Sequence, residues 1–276
     1  MEQYDELITR VYDKLDRKKT YPDEEKYHEF FINNTEYERL EEHNLWTYWQ
    51  GRNVRNPKIM IVGQDWGSIE QSRKYYEYIK NNPNEPVICF KQIQQLGCCE
   101  DKEFTTDKEL VELVAMLGDY PEICIKPYAD LYFTNLIPGY RNSISSTGKP
   151  SEAKKGIRKG VMKDFRTLLE ILQPKVMICL GRLVSESIAK EFGQKRIIKD
   201  AGSFNKFLDK ELNKDNPQPI EFELENGHHV VMFAIAHLGS LGRNNRRSNF
   251  KDEDTKNQYP EADWKVVADY IKNLKL

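Results

Sequence analysis

Short apolar runs alternate with amphipathic segments along most of the chain. Four runs have the length and the β-branched or aromatic content of strands that are buried on both faces: Lys58–Val62, Ala129–Asn135, Pro174–Gly181 and His229–His237. Other segments carry apolar residues at helical spacing: Asp107–Leu117, Lys155–Leu172, Arg182–Phe192 and Glu261–Leu274. Strands that alternate with helices predict an α/β fold, a three-layer αβα arrangement with a central, mainly parallel four-stranded sheet.

The first fifty residues have a helical pattern of their own. Leu7, Val11 and Leu15 recur at helical spacing, and Pro22 interrupts the pattern before a second such segment. We therefore predict a helical N-terminal extension over residues 1–50, packed on the core, and a main α/β domain over residues 51–276.

Composition excludes several classes of protein. Aromatic residues make up 11% of the 276 residues, which is too many for a globally disordered chain, and no run approaches the ~18 apolar residues of a membrane span. The N-terminus lacks the pattern of a signal peptide. Five cysteines form no CxxC pair and predict reduced, structural thiols rather than metal ligands. We expect a cytoplasmic monomer with no membrane contact, no metal and no cofactor.

The net charge of −2 conceals two basic segments. Residues 149–166 hold seven bases against two acids, and residues 243–251 hold Arg243, Arg246, Arg247 and Lys251 without an acid. Basic patches on a nearly neutral chain permit contacts with phosphates, although solvated faces that keep the protein in solution explain them equally well.

Polar side chains follow three of the predicted strands. Gln64 and Asp65 come after the first strand, Asn135 ends the second, and His237 ends the last. Each residue alone is more typical of a turn or a helix cap. Because ligands bind outside the carboxyl ends of parallel strands, however, the three strand ends predict a crevice lined by an acid, an amide and an imidazole.

These residues resemble the motifs of the uracil-DNA glycosylase superfamily. Ile61–Gly67 is similar to its first motif, an apolar strand followed by Gly-Gln-Asp-Pro-Tyr, and Leu131–Asn135 resembles the strand that ends in its base-reading asparagine. Pro174–Gly181 resembles a third strand of the family, and His237–Leu241 resembles its His-Pro-Ser-Pro-Leu motif. The four segments occur in the family's order, and the helical N-terminus lies outside the resemblance.

The resemblance implies a DNA glycosylase, a hydrolase that flips out a base and breaks its N-glycosidic bond. Asp65 would orient a water molecule and stabilise the sugar cation, and His237 would donate to the base O2. Asn135 would read the Watson–Crick edge, which distinguishes a 4-keto from a 4-amino pyrimidine. The further substrate-binding residues would be Gln64, Trp66, Gly67 and Phe104, with Phe90 as the alternative to Phe104 for stacking on the base.

DNA is the implied partner. Leu241 would fill the vacated stack as an apolar wedge, while Ser240, Arg243, Arg246 and Arg247 would contact the DNA around the flipped nucleotide. Such an enzyme would act in DNA repair by base excision, or in antiviral defence against phages with modified bases.

Three departures from the family pattern concern substrate and site. Gly67 stands where uracil-specific enzymes have a tyrosine that blocks the pyrimidine C5 position, and Trp66 replaces a proline. A pocket without that wall would admit C5-modified pyrimidines as well as uracil. Leu238-Gly239 stands in place of Pro-Ser, so the backbone that would position His237 differs from that of the family pattern.

Two other interpretations remain open at this point. One is a DNA-binding or sensor protein with a decayed glycosylase site, which the altered residues after His237 favour. The other is a doubly wound nucleotide-binding fold, although the turn after the first strand contains neither GxGxxG nor GxxxxGK[ST].

Overall fold

The computed structural model describes residues 3–4, 6–7, 56–65, 110, 112–118, 130–137, 159–194 and 196–274 of the chain. Their strands are β1 (Ile59–Gly63), β2 (Leu131–Asn135), β3 (Val176–Leu180), β4 (Ile220–Glu223) and β5 (His229–Ile235). Their helices are α1 (Lys159–Leu172), α2 (Arg182–Glu191), α3 (Ile197–Asp200), α4 (Phe204–Glu211), α5 (Ser240–Arg247), α6 (Glu253–Gln258) and α7 (Glu261–Asn273), with a 3-10 turn at Ala115–Leu117.

The strands form one mixed sheet in the order β2-β1-β3-β5-β4. The first four strands of that order are parallel, and β4 pairs antiparallel with β5 at the edge. The register places Gly63 beside Asn135 and Leu180 beside Ile235, so the carboxyl ends of the parallel strands lie along one edge of the sheet. The α/β class and the mainly parallel sheet are therefore confirmed.

Helices cover both faces of the sheet. Phe222 of β4, which pairs with Val230, stacks at 4.1 Å between ring centroids on Phe192 at the end of α2. Phe233 of β5 makes an edge contact at 5.1 Å with Tyr270 of α7. Because Val230 and Phe233 are an odd number of residues apart on one strand, they point to opposite faces. Hence α2 and α7 lie on opposite sides of the sheet, as a three-layer αβα fold requires.

The prediction of four strands was wrong, because the sheet has a fifth, β4. Ile220 and Phe222 are buried while Glu221 and Glu223 are exposed, which is the alternation of an edge strand with one solvated face. The run is only four residues long and directly follows a polar loop, so its apolar content did not stand out in the sequence. The four predicted strands were right to within two residues at each end.

Among the described residues, one hydrophobic cluster includes side chains of the sheet, of the helices and of the first residues of the chain. Tyr4 and Leu7 lie in a helical segment and are fully buried in this cluster. The Tyr4 and Tyr132 hydroxyls are 2.9 Å apart and share a buried hydrogen bond. The first residues of the chain therefore pack on β2, the strand that ends in Asn135.

Candidate functional site

Three predicted site residues lie at the carboxyl edge of the parallel strands. Asp65 follows β1 by two residues, Asn135 is the last residue of β2, and His237 follows β5 by two residues. From β1 the chain passes to β2 on one side and then crosses to β3 on the other, so the sheet has a switch point between β1 and β3. A spacing of about 4.8 Å per strand separates β1 from β5 by about 10 Å, and the switch point lies within that span.

Asp65 is held on a backbone that the neighbouring strand fixes. The amides of Leu136 and Ile137 donate to the carbonyls of Gly63 and Gln64, each at 2.9 Å, which continues the β1–β2 ladder past the end of β1. Gln64 Nε2 donates to Asp65 Oδ2 at 2.9 Å. Asp65 is half-buried, so its carboxylate is oriented by a neighbouring amide at the edge where β1 ends.

The Asn135 side chain lies against Gly63. A β-carbon added at Gly63 would overlap Asn135 Oδ1, so only glycine leaves room for this amide. Asn135 is 4% exposed, and within the described part of the chain its Nδ2 is a buried donor without a hydrogen-bond partner. Because an unpaired buried donor costs free energy, this amide is suited to a ligand that supplies an acceptor.

His237 is exposed, and a hydrogen bond fixes its tautomer. The Gly239 amide donates to His237 Nδ1 at 2.9 Å. A ring nitrogen that accepts a hydrogen bond carries no proton, so the neutral imidazole carries its proton on Nε2. His237 therefore presents an N–H donor on the side of the ring away from its own backbone turn. The backbone amide of Gly239 therefore orients the ring.

Two glycines of neighbouring elements approach the His237 main chain and ring. Gly181, at the end of β3, has φ +93°, and a β-carbon there would lie 3.3 Å from His237 Cβ. A β-carbon at Gly242 would overlap the His237 carbonyl oxygen. Both contacts bring His237 close to β3 and to α5. Sequence reasoning missed these two glycines, although a glycine at the end of an apolar strand is a signal that could have pointed to Gly181.

Helix α5 begins three residues after His237 and carries the predicted DNA-binding residues. Ser240 is its first residue, and Leu241 is 66% exposed, one of two exposed large apolar side chains among the described residues. Arg243 is half-buried and Arg247 is exposed. Leu241 and Arg247 thus have the solvent access that contact with DNA would need.

The prediction that Arg246 contacts DNA phosphates was wrong. Arg246 is 2% exposed, and its guanidinium is held by the carboxylates of Asp263 and Asp209. Burial works to lower its pKa, but the hydrogen bonds and charges of Asp263 and Asp209 outweigh burial and raise the pKa above its ordinary value. The charge pattern along α5 could not reveal that Arg246 is buried. Arg246 and Arg247 are adjacent in the sequence and look alike there, and the acids that bind Arg246 are on other helices.

Several predicted residues lie outside the described residues: Trp66, Gly67, Phe90 and Phe104. In the ranges that are described, no group of three or more His, Cys, Asp or Glu side chains could hold a metal ion. None of the helices seen in those ranges is long and apolar enough to cross a membrane. Cys179 is a buried free thiol, as expected of a core residue.

Comparison with known proteins adds no relative. A scan against protein-family models found no match, and a search of curated proteins found none either. Function must therefore be argued from the residues at the carboxyl edge of the sheet.

Proposed function

We propose that this chain is a monofunctional DNA glycosylase, which flips out a uracil-like or C5-modified pyrimidine and hydrolyses its N-glycosidic bond. The observation that carries the proposal is the arrangement of three groups along one sheet edge. They are an oriented carboxylate (Asp65), a buried amide with an unpaired donor (Asn135) and an imidazole with its proton on Nε2 (His237). The four sequence segments that resemble motifs of the uracil-DNA glycosylase superfamily, in the same order, also support the proposal.

The chemistry distributes charge in a way that suits these groups. As the bond between C1′ and the base nitrogen breaks, its electron pair goes to the base and positive charge develops on the sugar. The Asp65 carboxylate would stabilise that cation and orient the water that attacks C1′, and the proton of that water leaves to the carboxylate or to solvent. The neutral His237 would donate Nε2–H to the base O2, stabilising the leaving anion without transferring its proton.

Asn135 would select the base. Its unpaired Nδ2 can donate to a keto oxygen at C4, whereas a 4-amino group would present a second donor to a donor. A site built to pair one group rejects an analogue that leaves the pair unmade. The amide thus favours uracil-like bases, and 5-hydroxymethyluracil is one modified base that keeps the same C4 oxygen. Gly67 of the first motif motivates testing bases with a C5 substituent.

Excision from defined oligonucleotides tests the proposal. Labelled duplexes and single strands that contain uracil, 5-hydroxymethyluracil or 5-hydroxymethylcytosine are incubated with the protein, and abasic sites are cleaved with alkali. We expect strand scission on at least one substrate. Asp65→Asn should slow excision by about 10²–10⁴-fold, because the amide cannot replace the carboxylate.

Asp130→Asn is the matched control. Asp130 immediately precedes β2 at the opposite edge of the sheet, so its loss should leave the rate unchanged. DNA binding without scission on every substrate, by a protein with an intact circular dichroism spectrum, would reject the glycosylase. That result would favour the DNA-binding or sensor protein instead.

A further inference from the structure

A buried arginine anchors the C-terminal half of α5. Arg246 Nε and Nη2 donate to the two carboxylate oxygens of Asp263 in α7, at 2.9 and 3.0 Å, and Nη1 donates to Asp209 of α4. The side chains of Arg246 and Asp263 are 3% and 6% exposed. The guanidinium also lies 4.6 Å from the ring centroid of Phe250. Such a two-oxygen pairing fixes orientation as well as distance.

Helix α4 holds both α5 and the strand before His237. Asn205 Nδ2 donates to the Asn245 carbonyl at 3.0 Å, which adds a second link between α4 and α5. At the other end of α4, Glu211 Oε1 accepts from the Ala234 amide of β5 at 2.9 Å. His237 therefore lies between two elements, β5 and α5, that the same helix fixes.

The opposite end of α5 contacts His237 directly. Gly239 is the residue before the helix, and its amide donates to His237 Nδ1. Gly242, in the first turn, lies against the His237 carbonyl. Gly242 and Arg246 are four residues apart, so they share one face of the helix. The face that Arg246 anchors is the face that approaches His237.

We propose that Arg246 is a positioning residue that acts through α5 to hold His237 in the Nε2–H tautomer. The inference rests on the proposed function only for the role of that donor in excision. If the anchor is weakened, α5 shifts and the Gly239 amide moves away from Nδ1. The proton can then occupy either ring nitrogen, and fewer molecules present a donor to the base.

The test compares Arg246→Lys with Arg166→Lys. Lysine keeps the charge but lacks the planar fork that makes two parallel hydrogen bonds to Asp263. Arg166 is a matched control, because it also bonds two acids, Glu191 and Glu225, and lies 5.0 Å from the ring centroid of Phe192. Glu225 lies in the turn between β4 and β5, at the edge of the sheet opposite His237. Asp209→Asn, which removes one arm of the anchor, serves if Arg246→Lys fails to fold.

We expect Arg246→Lys to lower kcat at saturating DNA at least tenfold, and Arg166→Lys to leave kcat unchanged. The slope of log Kd against log salt should match wild type in both variants, because a buried Arg246 releases no counterion. A slope smaller by about 0.9 would instead mean a lost phosphate contact and would overturn the inference. Unchanged kcat in a folded Arg246→Lys or Asp209→Asn variant would also overturn it.

Nitrogen-15 NMR of the imidazoles gives a readout that does not need activity. The chain has five histidines, and the His237→Gln variant identifies the His237 signals. Wild type should show His237 as the Nε2–H tautomer, and Arg246→Lys should show a mixture of both tautomers. If wild type excises no base, the proposed function fails, and the tautomer still decides whether Arg246 positions His237. The same tautomer in both proteins would reject the positioning role.

Discussion

At the residue scale, the candidate site depends on positions where a side chain would not fit. Gly63 leaves room for the Asn135 amide, and Gly242 leaves room for the His237 carbonyl. Asp65, Asn135 and His237 carry the chemistry in our proposal, but small neighbours set how closely their elements approach. Such a site is sensitive to the addition of one methyl group where the added carbon meets a site residue.

Gly63→Ala tests this sensitivity. The new β-carbon would overlap Asn135 Oδ1, and we expect the amide to turn away while β1 remains in place. Excision of the preferred base should fall at least tenfold, and discrimination against cytosine should weaken, as measured on the oligonucleotide panel. Both effects follow from displacing the group that reads C4.

Gly227→Ala provides the control for Gly63→Ala. A β-carbon at Gly227 meets nothing within 4 Å, but its φ of +83° disfavours alanine. Urea unfolding should show that the free energy of unfolding falls by about 1–2 kcal/mol, and the rate of excision should be unchanged. If Gly63→Ala left rate and selectivity as in wild type, Asn135 would have no part in reading the base.

The positions that could be predicted from the sequence are those that follow from the place of a residue on one strand. The placement of Asp65, Asn135 and His237 at one edge could be predicted because each ends or follows an apolar run, and parallel strands bring such positions to one edge. The burial of Arg246 could not be found in that way. It depends on Asp209 and Asp263, which are 37 and 17 residues away, and no pattern within α5 reveals such partners.

At the element scale, Glu211 supplies a hydrogen bond to β5 that a longer β4 would otherwise provide. Strand β4 pairs with β5 only as far as Met232, so the Ala234 amide extends past its end. Glu211 Oε1 accepts from that amide at 2.9 Å, which satisfies it with a side chain. Burial, and to a lesser extent Asp263, raise the pKa of Glu211 well above its ordinary value of 4.5, although the Ala234 amide works to lower it.

The raised pKa of Glu211 predicts how stability depends on pH. Above pH 4.5 the unfolded chain loses this proton while the folded protein keeps it, so the free energy of unfolding falls as pH rises. The contribution of one proton is at most about 1.4 kcal/mol per pH unit, and it continues until pH reaches the folded-state pKa. Glu211→Gln has no proton to lose and can still accept from Ala234. We expect the stability of Glu211→Gln relative to wild type to increase with pH over that window.

Urea unfolding of both proteins between pH 4 and pH 8 measures this difference. Titrating groups that do not interact with Glu211 contribute equally to the two curves, so the difference reports Glu211 and the charges coupled to it. Curves that run parallel across the whole range would mean that Glu211 ionises alike in the folded and unfolded chain, and the burial argument would then be wrong.

At the scale of the whole molecule, the core brings together residues that are far apart in sequence. The class of fold and the order of apolar runs were predictable, because strands buried on both faces give continuous apolar segments. The predicted packing of the N-terminal extension rested on helical spacing alone. The structure shows one contact of its first residues: the Tyr4 hydroxyl bonds to the hydroxyl of Tyr132, which is 128 residues away in the sequence. Periodicity predicts that a helix has an apolar face but not which strand that face contacts.

The pair of tyrosines makes the link between the N-terminal segment and β2 measurable. Each hydroxyl is the partner of the other in a buried hydrogen bond, so Tyr4→Phe leaves the Tyr132 hydroxyl without this bond, and the reverse change has the same effect. A buried hydroxyl that loses a hydrogen bond destabilises the fold by up to about 1–3 kcal/mol, whereas removing both hydroxyls leaves neither end of this bond behind. We expect the double variant to be more stable than the sum of the single losses predicts, by about 0.5–1.5 kcal/mol in a urea double-mutant cycle. Additive losses would mean that the two hydroxyls are not coupled, and that the N-terminal turns add stability through apolar burial alone.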